Sequence, residues 1–105
     1  MTEPWYSVRC LFHDPGQGLY EERITLWHGV SFEHAIEQAE QEAHEYAETL
    51  ALRYVGLAQA YHLGEETIGS GSEVFSLCRD SELEPNAYID AFFDTGGERQ
   101  RHQGP

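Results

Sequence analysis

The chain has 105 residues, a formal net charge of -13, an apolar fraction of 40% and an aromatic fraction of 12%. That length suits one domain with its own core, and the regular recurrence of apolar residues excludes a disordered acidic chain. A field of this sign repels phosphate backbones and anionic lipid, so nucleic acid and membrane surfaces are disfavoured as partners, while a basic protein or a metal ion is favoured.

The opening residues, MTEPWYSVRC, have no basic region followed by an apolar core, and no window is long enough to span a bilayer, so a cytosolic location is expected. Residues 5–12, WYSVRCLF, alternate: Tyr6, Val8, Cys10 and Phe12 share one face, and Trp5, Ser7, Arg9 and Leu11 share the other. HDPGQG then favours a turn, and alternation resumes over residues 19–28 with Tyr20, Ile24 and Leu26 on one face. A β-hairpin follows from this pattern. Its core face is expected to join Val8 to Ile24 and Leu26, leaving Trp5, Leu11 and Trp27 together on the second face.

Ser31 suits a helix N-cap and Glu33 the first turn. Phe32, Ala35, Ile36, Ala39, Ala43, Tyr46, Ala47 and Leu50 then recur at spacings of three and four, which predicts an amphipathic helix over 32–50. LRYVGLAQAYHL, 52–63, lacks charge on both faces after Arg53 and predicts a central strand covered on both sides. GEETIGSGS reads as a loop and EVFSLCR, 73–79, as a fourth strand. Pro85 starts a short helix with a stripe of Tyr88, Ile89, Phe92 and Phe93, and Gly96 suits its stop. The expectation is an α+β domain over 1–97, with a four-stranded antiparallel sheet, element order β-β-α-β-β-α, and the long helix on one face. A disordered tail is expected over 98–105.

WYSVRCLF, YEERITLW, AIEQAEQEAHEYA, YVGLAQAYHL and EVFSLCRDS together resemble a family of small bacterial proteins known as domain of unknown function 4288, over about residues 5–80. The Trp5-Tyr6-Ser7 start and Tyr20-Glu21-Glu22-Arg23 carry most of the likeness. The resemblance implies a bacterial cytosolic protein and supplies no catalytic residue.

Few residues suggest chemistry. His44-Glu45-Tyr46-Ala47-Glu48 approaches a zinc-peptidase helix but has Glu48 where the second His belongs. Glu33, Glu37 and Glu40 extend that polar stripe, and a solvated helix side is the simpler reading. Cys10-x-x-His13 is half a metal site without a second half, and Cys10 and Cys78 read as reduced, buried thiols. No hydroxyl sits in a nucleophile elbow, and GSGS lacks the lysine of a phosphate loop. No catalytic residue, metal ligand or cofactor is therefore assigned.

Alternation splits Glu21 from Glu22, so these two carboxylates cannot form an adjacent acid-base pair. Two tryptophans on one sheet face need a cover, from the C-terminal helix or from a second copy of the chain. The binding residues expected there are Trp5, Arg9, Arg23 and Trp27, since aromatics and arginine anchor recognition. The functional expectation is a non-enzymatic interaction module that binds a basic protein or forms a homodimer, an immunity-type inhibitor of a basic toxin being one form of it. The alternative is a small metal-dependent or acid-base hydrolase using His28 and His44.

Overall fold

The computed structural model describes residues 3–64 and 67–93. The elements in chain order are β1 (Trp5–Asp14), β2 (Leu19–His28), α1 (Phe32–Leu50), β3 (Arg53–Gly64) and α2 (Pro85–Phe92). β1 lies in the middle of a three-stranded sheet of order β2-β1-β3, with both neighbours antiparallel to it. The expected fourth strand does not form. EVFSLCR runs over the sheet without joining any ladder, and the sequence could not show this because alternation marks two side-chain faces, whether or not the segment has a hydrogen-bonded neighbour.

α1 begins where the sequence places it. The Ser31 hydroxyl accepts a bond from the His34 amide at 3.0 Å, and the helix ends at Leu50 with Ala51 in the left-handed region at φ 57°. Ala35, Ala39, Ala43 and Ala47, four residues apart, form the buried line of α1. Such small side chains let the helix axis come close to the sheet, so its stripe beds directly on Tyr6, Val8, Cys10 and Phe12 of β1. Ile36 and Tyr46 pack only partly at the margins of this core, and Phe32 and Leu50 remain exposed.

The hairpin register corrects the expected pairing. Asp14 stands opposite Leu19, and the register runs unbroken to Trp5 opposite His28. The loop is therefore only Pro15–Gly18, with Asp14 accepting bonds from the amides of Gly16 and Gln17 and Gly18 at φ 66°. Thr25 pairs with Val8 and Trp27 with Tyr6. Compared with the expected hairpin, β2 is shifted by one residue, and a one-residue shift exchanges its two faces. Ile24 and Leu26 consequently leave the core for the far side of the sheet.

Two further expectations change. β3 is patterned as a central strand but stands at the sheet edge, because the stretch expected to flank it does not pair. α2 starts at Pro85 as expected, yet none of its residues is buried and it packs on no strand and not on α1, so it is not the cover of the second face. Cys10 is buried as expected, but Cys78 is exposed. The stop at Gly96 and the tail at 98–105 lie outside the described residues.

Candidate functional site

The two faces of the sheet differ in what covers them. On the closed face, under α1, the polar groups are tied into pairs. Arg23 binds Glu42 at 2.6 Å and lies 3.9 Å over the ring of Tyr46, whose hydroxyl donates to Glu21 at 2.9 Å. Glu42 holds the Arg23 guanidinium above its usual range, and the bond to Glu21 does the same for the Tyr46 phenol. Tyr54 donates to Glu40 at 2.5 Å, and its phenol is pushed well above the usual range, first by burial and then by that bond. Burial likewise raises the Cys10 thiol, partly offset by a hydrogen bond with Tyr54. These contacts tie α1 to both outer strands, to β2 through Arg23 and Glu21 and to β3 through Tyr54.

The open face carries Trp5, Ser7, Arg9 and Leu11 of β1, flanked by Glu22, Ile24, Leu26 and His28 of β2 and by Leu57, Gln59 and Tyr61 of β3. Residues 73–79 lie along it as a strap. The hydroxyl of Ser7, which is wholly buried, donates to the Val74 carbonyl, and Tyr61 donates to Glu73. The Phe75 ring lies 5.5 Å from the Arg9 guanidinium, and Arg9 pairs with Glu22. Arg79 donates to the Tyr88 hydroxyl at 3.0 Å and lies 4.5 Å over Phe92, so it ties the strap to α2.

The strap touches the face at Ser7 and Arg9 of β1 and at Tyr61 of β3, and it leaves apolar side chains open on both outer strands. Ile24 and Leu26 are 44% and 39% exposed, and Leu57 is 48% exposed. Between strap and sheet lies an open cavity of about 310 Å³, with Leu11, Leu57 and Leu77 as apolar wall and Arg9, Glu22 and Arg79 as polar rim. The Trp5 ring closes one end of the sheet by packing 3.5 Å from His28. An apolar row on a regular strand, ringed by charge, has the form of a protein-contact surface.

The four expected binding residues are split between the faces. Trp5 and Arg9 lie on the open face. Arg23 and Trp27 lie on the closed one, where Trp27 packs against the core and donates to the Thr25 hydroxyl at 2.7 Å. Ile24, Leu26, Leu57 and Leu77 were not among the expected binding residues, and the short loop after Asp14 is the signal that would have turned the first two outward. His28 and His44 are also separated: His28 packs against Trp5, while His44, an exposed residue of α1, meets Tyr54 edge-on at 5.1 Å. Among the described residues no group of three or more His, Cys, Asp or Glu is placed to hold a metal ion. None of their helices is long and apolar enough to cross a membrane.

No family model, curated protein or solved structure matches the chain.

Proposed function

We propose that the protein is a non-enzymatic interaction module that works in the cytosol and offers its open sheet face to a basic protein partner. The observation that carries this reading is the row of Ile24 and Leu26 beside Leu11, held exposed on regular strands rather than on a loop. The charge selects the partner: a chain at -13 attracts a basic surface at long range, and Glu22 stands two residues from Ile24 on the same face of β2. A nucleic-acid-degrading toxin, whose substrate site must be positive, is one partner of that chemistry. The likeness to domain of unknown function 4288 rests on the residues that carry it, and on that likeness we read the host as bacterial.

A hydrolase built on His28 and His44 gains no support, because the two rings lie on opposite sides of the sheet. Self-association is the second reading, favoured by the outer edge of β3, which pairs with no strand among the described residues.

The test is capture from the native host with chemical cross-linking and mass spectrometry, using wild type and Leu26→Glu side by side. The expected result is a basic protein cross-linked near the open face, retained less well as salt rises and lost with Leu26→Glu. Equal recovery by the variant would overturn the open-face assignment.

A further inference from the structure

The two edges of the sheet are defended unequally. β2 carries Glu21, Glu22 and Arg23 within its ten residues, and charged side chains of this kind discourage a second strand from pairing. β3 has twelve residues, and its only formally charged one is Arg53 at the first position. Among the described residues no backbone hydrogen bond joins β3 to anything except β1, so a row of amide and carbonyl groups faces outward along its free side. A strand free of charge on both faces is the pattern of one with neighbours on both sides, yet among the described residues it has only one.

We propose that β3 pairs antiparallel with β3 of a second copy of this chain, joining the sheets in the order β2-β1-β3-β3-β1-β2. The most regular part of β3 is Ala58–His62, where the register with β1 is unbroken; Gly56, at φ 95°, and a register shift bend the strand before it. A two-fold axis through Ala60 sets Ala60 against its copy, Ala58 against His62 and Gln59 against Tyr61. No like charges meet, and Arg53 is carried to the far end from its own copy. Parallel pairing would instead stack Arg53 on Arg53, a direct like-charge cost.

Two carboxylates bound to β3 side chains are engaged within the chain, Glu40 by the Tyr54 hydroxyl and Glu73 by that of Tyr61. On the helix side Ala58 and Ala60 are small, which leaves room where two α1 helices would approach. A foreign strand would gain the same backbone bonds, but a second copy meets the uncharged stretch 58–62 with an equally uncharged one and so strands no charge at the junction. The edge is used through the backbone of β3, at the opposite edge of the sheet from Ile24 and Leu26 of β2, so either surface can serve without the other.

The test combines light scattering of the full chain from micromolar to millimolar concentration with hydrogen–deuterium exchange. A mass of two chains is expected, with amides of residues 57–63 gaining protection as the dimer forms while those of 19–28 do not. Gln59→Lys, on the open side of the edge, and His62→Lys, on the helix side, should each weaken association about tenfold or more, and Ile24→Glu should leave it unchanged. A monomer at every concentration, wild-type association in both lysine variants, or a dimer without added protection in β3 would overturn the proposal. Loss of the dimer in Ile24→Glu with retention in His62→Lys would overturn it too, and would move self-association to the open face.

Discussion

The closed and open faces of the sheet are built from the same three strands but are finished differently. Under α1 the central strand offers Tyr6, Val8, Cys10 and Phe12, and four alanines let the helix come close enough to bury them almost completely. On the other side the cover is a strap held chiefly by side-chain contacts to Ser7, Tyr61 and Arg9, and it leaves apolar side chains open on both outer strands. The difference teaches where stability and recognition reside in this molecule. The fold rests on the face where small residues permit close approach, and the face that stays half-covered keeps its apolar side chains available to a partner.

The largest expected contrast is in truncation. Phe12→Ala empties the space of a fully buried ring and should cost about 3 to 5 kcal/mol, whereas Ile24→Ala on the open face should cost under about 1 kcal/mol. Urea melts of the two variants check this, and equal losses would erase the distinction between the faces. Next in size is crowding. Ala43→Leu forces a branched side chain between α1 and the sheet and should cost about 1 to 3 kcal/mol, read in the same melts.

A smaller effect is expected where the strap is pinned. Ser7→Ala removes the donor to the Val74 carbonyl, so it should cost about 1 kcal/mol and speed proteolysis within residues 73–79. If cleavage there is unchanged, the strap is held by other contacts. The smallest is a gain: Ala51 ends α1 in the left-handed region, where glycine is unstrained, so Ala51→Gly should raise stability by up to about 1 kcal/mol. A thermal melt resolves its sign.

Much of the closed face was legible in the sequence. The three-and-four spacing gave the bounds of α1, Ser31 gave its cap, and alternation in WYSVRCLF gave the buried side of β1. The open face was not, because alternation divides a strand into two faces without saying which of them matches the neighbour's core face. That choice is made by the loop. Read as the six residues HDPGQG, the turn left the hairpin register open, while the bonds from Asp14 to the amides of Gly16 and Gln17 shorten it to four and send Ile24 and Leu26 outward. The same gap between pattern and partner explains EVFSLCR, whose alternation is real and whose ladder is absent, and β3, whose uncharged faces suggested two neighbours where the described residues provide one. Of the expected binding residues, Trp5 and Arg9 keep their place on the open face. Arg23 and Trp27 follow β2 to the closed one.

The register of the hairpin therefore decides which residues the protein shows to others, and one measurement reads it directly. Methyl NMR spectra of the dilute protein, recorded with a soluble paramagnetic probe, report the solvent access of each side chain. The account expects strong broadening of the Ile24 and Leu26 methyl signals and none at Val8. Protection of Ile24 and Leu26 equal to that of Val8 would contradict it, because it would place β2 in the register shifted by one residue and return the open face to the core.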